Sequence, residues 1–310
     1  MLFLFLLACQ GYLLQPYAPA WDQISVGHYD ACAHREDGYV RCASPFIRAS
    51  EDPILSGAKA RATHHRMSGV AVGEWRACTV FDGHGDDAGP LRCWGDSDDD
   101  AWPSDDLPRL DAASLDMGAN WVCGLRAGPA DGPDTAESGE VGDVWCGSAS
   151  GQTKELPGPF DQVVVGDDFA CTLDFAGSVS CSVGTPTPFA LSEVLALTAS
   201  SDGLCWRTTD GLVSCQRIGD SSPTEIRGLP KDDTRLSLGA AGLCSWTEGE
   251  KATCVGALDS ELRLVPTKDT KWKSLELSTS LPYACGVTKA GTLSCFGASG
   301  LTPAFAASED

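Results

Sequence analysis

The residues with the most chemical potential in this chain are its cysteines. Fourteen of the fifteen fall into seven pairs: Cys32/Cys42, Cys78/Cys93, Cys123/Cys146, Cys171/Cys181, Cys205/Cys215, Cys244/Cys254 and Cys285/Cys295. Thiols in such numbers either hold metal or cross-link. Zinc ligands usually come as close C-x-x-C clusters with partner pairs, and the chain has no C-x-x-C. The pairs therefore read as disulfides, which point to an oxidising compartment. Each closes a short loop, worth about 2–3 kcal/mol by loop entropy.

Other reactive groups are less organised. His28, His34, His64, His65 and His84 crowd the first part of the chain, but no acidic residue follows at zincin-like spacing, so they read as exposed loop residues. Asp96, Asp98, Asp99 and Asp100, with Asp105 and Asp106 beyond, form the strongest local charge cluster. Oxygen ligands at that density suit calcium, although the ligand spacing and terminal glutamate of a helix-loop-helix site are missing, and a solvated loop is the plainer reading. No Ser-His-Asp order, nucleophile elbow, phosphate-cradling glycine loop or nucleotide motif stands out. No catalytic residue and no cofactor are expected.

Net charge is -21, from 43 acidic and 22 basic residues. Nucleic-acid binding needs basic patches, and none is visible. Acidic excess favours solubility and repels anionic partners.

The elements that carry the cysteines repeat. Eight and six residues before the first cysteine of each pair stand Ile24/Val26, Val70/Val72, Leu115/Met117, Val163/Val165, Leu197/Ala199, Leu236/Leu238 and Leu277/Thr279. This alternation is the period of a half-buried strand. A turn residue follows: Gly27, Gly73, Gly118, Gly166, Ser200, Gly239 and Ser280. Each cysteine pair then frames a hairpin. In the fourth repeat Phe175-Ala176-Gly177 form a three-residue tip, whose third position favours glycine because the backbone turns left-handed there. Gly38, Gly211 and Gly291 share that position, and the sixth repeat has Gly249 one step early. The register puts the cysteines opposite each other in a non-hydrogen-bonded pair, about 4.5 Å between Cα atoms, within disulfide reach. Two tips are enlarged, Phe81 to Pro90 and Ala127 to Val141, and loops on a rigid scaffold are where function usually sits. Seven all-β units at a period of tens of residues fit a closed propeller, an open solenoid being the alternative.

The phrase Gly-x-x-x-x-Cys-x-Leu-x-x-x-Gly-x-Val-x-Cys, as in Gly166 to Cys181, resembles the repeat of the regulator of chromosome condensation family, in its cysteine-bearing bacterial form. The resemblance covers residues 21 to 300 and implies a seven-bladed β-propeller, one four-stranded sheet per repeat, with one intra-hairpin disulfide per blade. It also implies binding to protein partners. The family often has histidine two residues before the first cysteine, where this chain varies. Aromatic residues at or beside that position, Trp75, Trp121, Phe169 and Tyr283, are either interface anchors or inter-blade core. Closure of the ring falls to the tail Leu301 to Ala306 or to the segment Gly11 to Pro19.

The leader Met1 to Cys9 is apolar and too short to span a bilayer; it reads as a secretory signal core. Its end, Leu6-Leu7-Ala8-Cys9, resembles a bacterial lipobox with Cys9 as the acylated residue. The expected organisation is a leader over 1–8, a tether over 9–20 and a propeller over 21–310. The expected function is a secreted or surface-tethered, non-catalytic, monomeric module in the bacterial cell envelope, meeting the membrane only through Cys9 and binding a protein partner. Glycan binding is the alternative, a calcium-assisted hydrolase or lyase the third. Glycan recognition predicts an exposed tryptophan beside carboxylates; protein recognition predicts a broader apolar patch.

Overall fold

The alternating apolar pairs become the innermost strands of seven small antiparallel sheets. The computed structural model describes residues 20–35, 37–44, 66–82, 88–95, 109–126, 142–148, 150–184, 191–201, 203–256, 264 and 269–297. Blade 1 runs Trp21–Val26, Ala31–Arg35, Val40–Ala43. Blade 2 is Arg66–Val72, Arg76–Asp82, Ala88–Gly95, Arg109–Asp111. Blade 3 is Asp116–Met117, Trp121–Leu125, Val144–Ser148, Thr153–Leu156. Blade 4 is Phe160–Val165, Phe169–Asp174, Val179–Gly184. Blade 5 is Val194–Ser200, Gly203–Thr208, Val213–Arg217, Thr224–Ile226. Blade 6 is Arg235–Gly239, Gly242–Trp246, Thr253–Val255. Blade 7 is Lys271–Leu277, Tyr283–Thr288, Leu293–Gly297. A blade's own fourth strand is described in blades 2, 3 and 5.

Every hairpin holds its cysteines face to face, in the pairing expected. The bridges are Cys32–Cys42, Cys78–Cys93, Cys123–Cys146, Cys171–Cys181, Cys205–Cys215, Cys244–Cys254 and Cys285–Cys295. Their Cα atoms lie 4.0 or 4.1 Å apart, the close approach of non-hydrogen-bonded pairs. Two residues towards the tip of blade 4, Leu173 stands opposite Val179. The two ends of a bridge are not equally covered. The first cysteine of every pair is buried, because it sits on the second strand against the next blade. Its partner lies one strand further from the axis. Cys42, Cys93, Cys181, Cys254 and Cys295 are half-buried there, while Cys146 and Cys215 are buried. At the tips, Gly177 and Gly211 have φ of 80° and 83°, which side chains with a Cβ rarely adopt.

The disulfide side of each blade faces the next blade around the ring. Cys32 and Val40 pack on Met67, Val70 and Val72 of blade 2, with Cys42 at the edge of the same cluster. Cys171 and Leu173 pack on Val194, Leu197 and Leu204 of blade 5. The other alternation of the inner strand faces backward, so Val163 and Val165 meet Cys123 and Cys146 of blade 3. One apolar cluster fills each seam, including the seam that closes the ring, where Tyr283, Cys285 and Val287 meet Ile24, Val26, Ala31 and Ala33. The main chain closes there as it does elsewhere. The Trp21 N–H donates to Gly291 O at 3.0 Å, as Met67 donates to Gly38 and Val194 to Gly177. The two expected closing segments, Gly11 to Pro19 and Leu301 to Ala306, lie outside the described residues.

Blade 7 departs from the counted register. The apolar pair of its inner strand is Leu275, opposite Gly286, and Leu277, opposite Ala284. Ser278, which donates its N–H to Tyr283 O at 3.0 Å, takes the turn position expected for Ser280. Two extra residues between the inner strand and Cys285 shift the count by one side-chain period, which is why Leu277 still looked apolar in the wrong place.

Blades touch closely at the turn. A Cβ on Gly118 would stand 1.8 Å from Gly166 O, and one on Gly27 2.1 Å from Gly73 O. Glycine is required here for the approach of neighbouring backbones.

Candidate functional site

The inner strands surround a cavity of about 560 Å³ on the ring axis. Between the two apolar residues of each inner strand stands one side chain aimed forward at the next blade. In five blades it accepts a main-chain hydrogen bond across the seam: Ser25 Oγ from Val72 N (3.0 Å), Asp116 Oδ2 from Val165 N (2.7 Å), Thr198 Oγ1 from Leu238 N (3.2 Å), Ser237 Oγ from Leu277 N (2.9 Å) and Glu276 Oε2 from Val26 N (2.9 Å). Blade 4 has Val164 at this position and uses Gln162 instead, which pairs with both N and O of Leu197. Inner-strand N–H groups facing the axis would otherwise depend on water; such bonds contribute about 1 kcal/mol each.

Two members of this belt are carboxyls. Burial in the channel raises Asp116 to about 6, against hydrogen bonds from Val165 and Met117 that favour the charged form. Glu276 rises to about 8, from burial first and the charge of Asp116 second, against the Val26 N–H and Ser25 hydroxyl. Among the described residues no group of three or more His, Cys, Asp or Glu could hold a metal ion.

One end of the channel is capped. The loops that leave the inner strands meet over the axis, with His28 at their centre. Its Nε2 lies 3.2 Å from Asp167 Oδ1 of blade 4, and Nδ1 lies 3.8 Å from Glu74 of blade 2. Its carbonyl accepts from Ser278 Oγ (2.9 Å) and Ser280 Oγ (2.7 Å) of blade 7. Asn120 Nδ2 of blade 3 donates to Asp168 at 2.7 Å, and its N–H donates to Asp167 O. Beside this cap, the rings of Tyr29 and Trp75 stack with centroids 5.0 Å apart and planes tilted 37°. Trp75 is 44% exposed.

The opposite face carries the hairpin tips. At the seam of blades 4 and 5, Glu193 O accepts from Thr209 N at the blade 5 tip, while the adjoining Val194 N donates to Gly177 O at the blade 4 tip. Glu193 holds φ of 60°, an uncommon value for a residue with a side chain. Phe175 (61% exposed), Leu195 (52%) and Leu212 (44%) lie on these stitched segments. Behind them Arg207 is fully buried and donates Nη1 to Pro230 O (2.7 Å) and Lys231 O (3.1 Å), holding the blade 5 tip to the connection towards blade 6. Asp161, Glu193 and Asp210 are exposed around the apolar residues and Asp174 is half-buried. The hydroxyl of Thr208 and the N–H of Leu212 hold Asp210 below the usual carboxylate range.

The aromatic candidates separate. Trp75 is exposed, Trp121 is half-buried, and Phe169 and Tyr283 are buried in the blade 4–5 and blade 7–1 seams. Burial pushes the Tyr283 hydroxyl well above its ordinary range. His28 and His34, read as exposed loop residues, are buried. His34 sits inside a strand and bonds Met67 O of the next blade, and burial lowers its pKa. Cys9, Asp96, Asp98, Asp99, Asp100, His64, His65, His84 and the tip segment Ala127 to Val141 lie outside the described residues. So does the centre of the other enlarged tip, although the flanking strands extend to Asp82 and from Ala88. Sequence reasoning missed Asp116 and Glu276, whose signal was a carboxylate inside the apolar alternations Leu115-Asp116-Met117 and Leu275-Glu276-Leu277.

No family model and no curated protein matches this chain. Solved structures do. The CRINKLY WD40 ectodomain of the Arabidopsis thaliana receptor kinase ACR4 superposes with a TM-score of 0.60 at 17% identity, over 93% of this chain and 98% of that one. The entire ectodomain of the Physcomitrella patens receptor kinase CR4 gives 0.58 at 18%, over 90% and 74%. Prp20p of Saccharomyces cerevisiae, described together with its binding to Gsp1p and histones, gives 0.53 at 14%, over 77% and 73%. At these identities the likeness is one of fold: the chain is an all-β, seven-bladed propeller of the kind that Prp20p and the plant ectodomains share, with a disulfide in every hairpin.

Proposed function

We propose that this propeller is a non-catalytic protein-interaction module, and that it docks its partner on the hairpin-tip face of blades 4 and 5. The observation that carries the reading is the exposure of Phe175, Leu195 and Leu212 along one seam. Three of the five exposed large hydrophobics among the described residues sit on three segments stitched by Glu193 and Val194. Apolar side chains held out by a rigid scaffold suit hot-spot contacts. The flanking carboxylates Asp161, Asp174, Glu193 and Asp210 favour a partner segment that combines apolar with basic side chains. Protein binding by Prp20p, a propeller of like fold, is in keeping with this reading. Seven disulfides support an extracellular or periplasmic setting. Tethering through acylated Cys9 in a bacterial envelope, and a monomeric state, complete the proposal.

The test is capture from intact, crosslinked cells with the tagged mature chain, followed by mass spectrometry. A stoichiometric partner is expected whose recovery falls at least tenfold with Leu195→Asp or Phe175→Ser, and weakens with salt. Full recovery with both variants would remove the tip face from consideration.

A further inference from the structure

The capped face carries a different kind of surface, and a different observation supports a role for it. Among the described residues only one tryptophan is exposed, and it lies on the face opposite the hairpin tips. Trp75 is braced by Tyr29 at 5.0 Å, and Tyr29 in turn meets the His28 ring edge-on at 6.1 Å. His28 is tied to blades 2, 4 and 7. The exposed indole is therefore fixed in place before any ligand arrives, and such preorganisation lowers the cost of binding.

Three carboxylates stand among the same cap loops. Glu74 precedes Trp75 in the chain, Asp167 lies across His28, and Asp168 is held by the Asn120 amide. The described hydrogen bonds use Oδ1 of Asp167 and Oδ1 of Asp168, so each carboxylate has a second oxygen for a ligand hydroxyl. An aromatic platform with a few fixed polar groups orients a ligand having one apolar face and hydroxyl edges. A pyranose ring has that form, its C–H face lying on the indole and its hydroxyls donating to the carboxylates. Sulfated and uronic sugars are disfavoured by these carboxylates and by a net charge of -21. A simple organic cation is a poorer match, since the His28 ring already stands between Glu74 and Asp167.

We infer that the Tyr29–Trp75 platform, with Glu74, Asp167 and Asp168, is a binding site for a neutral saccharide. The site is independent of the tip-face docking surface, so the chain has two recognition faces on opposite ends of one ring.

The test uses the full mature chain, disulfides intact, and a panel of defined neutral oligosaccharides built from glucose, galactose, mannose and N-acetylglucosamine. A polyuronate and tetramethylammonium are the comparators. Binding is followed by NMR through the Trp75 indole signal, assigned by its loss in Trp75→Ala. At least one neutral oligosaccharide is expected to shift that signal. Trp75→Ala should weaken its binding at least tenfold, Trp75→Phe should retain part of it, and Glu74→Gln should weaken it several-fold. Phe175→Ser, on the far face, should leave it unchanged. Trp75 and Glu74 are not core residues, so an unchanged melting temperature accompanies a valid result. The inference is overturned if no neutral oligosaccharide on the panel binds, if Trp75→Ala binds as tightly as the parent, or if only a comparator binds. None of these outcomes bears on Phe175 and Leu195.

Discussion

Glu276 provides the most exacting check on the channel geometry. It accepts the Val26 N–H across the seam between the last blade and the first, and its carboxyl moves from an ordinary 4.5 to about 8, chiefly through burial and next through Asp116. The folded ring therefore prefers the protonated acid. Below the unfolded value both states carry the proton and there is no penalty. Between pH 4.5 and 8 the unfolded chain releases its proton while the ring holds on, so stability falls as pH rises. Above about 8 the loss is complete. A displacement of this size is worth at most about 5 kcal/mol at 1.36 kcal/mol per unit. Solvent access lowers it, because Glu276 is only half-buried by exposed area.

Glu276→Gln keeps an acceptor oxygen for Val26 and removes the titration. Its melting temperature relative to the parent should be near zero at pH 4 and positive by several degrees at pH 8.5, with a ceiling of about 10 °C at about 2 °C per kcal/mol. Other carboxylates titrate in both proteins and cancel in the difference. Scanning calorimetry with disulfides intact, at four or five pH values, is sufficient. Asp116→Asn should shrink the pH-dependent gain, since it removes a charge that disfavours ionised Glu276. A Glu276→Gln variant equally destabilised at pH 4 and pH 8.5 would refute the reasoning. The carboxylate would then be a needed charged acceptor.

Three further outcomes follow from the packing. Gly118→Ala places its Cβ against the Gly166 carbonyl and should cost about 3 kcal/mol or more, whereas Gly151→Ala meets nothing within 4 Å and should cost about 1 kcal/mol for its φ of 80°; chemical denaturation separates them. Replacing Cys171 and Cys181 together by serine should cost about 2–3 kcal/mol and leave the other six hairpins oxidised, as thiol titration after unfolding would show. Arg207→Met should lower the melting temperature and loosen the connection at Pro230 and Lys231, read as faster amide exchange in blade 5.

The ring was legible in the sequence because each blade repeats a local signal. Strand alternation, tip glycine and cysteine step all act within one hairpin, where spacing along the chain is spacing in space. That is why every bridge, from Cys32–Cys42 to Cys285–Cys295, could be paired by counting. What counting did not give is the unequal cover of their two ends, since Cys42, Cys93, Cys254 and Cys295 are half-buried and Cys215 is buried. That difference depends on what the neighbouring blade supplies. Register failed only where loop length changed, at Leu281 and Pro282 in blade 7, because counting back from Cys285 assumes a constant turn. The aromatic position near the first cysteine was ambiguous for a related reason. Phe169 and Tyr283 are buried by neighbouring blades and Trp75 is exposed beside one, and no residue in the same repeat distinguishes these cases. His34 was misread as a loop residue although it stands inside a buried strand, two places after Cys32.

What joins blade to blade is written far apart in the chain. His28 meets Asp167 across 139 positions, and Glu276 meets Val26 across 250. Repeats set the shape of each blade, but the non-repeating residues make the blades different from one another. Ala71, Asp116, Val164 and Glu276 occupy one equivalent position in four blades, and only two of them carry a carboxyl. Phe175 and Leu212 stand at hairpin tips where blade 1 has Glu36 and Tyr39. Neither departure helps its own hairpin fold, since a tip needs only its glycine and an inner strand needs only its alternation. Residues that break the repeat without serving the blade are therefore the ones that mark the two faces as unequal. The contrast between an apolar tip face at blades 4 and 5 and an aromatic, acidic cap at blades 1 and 2 follows from them.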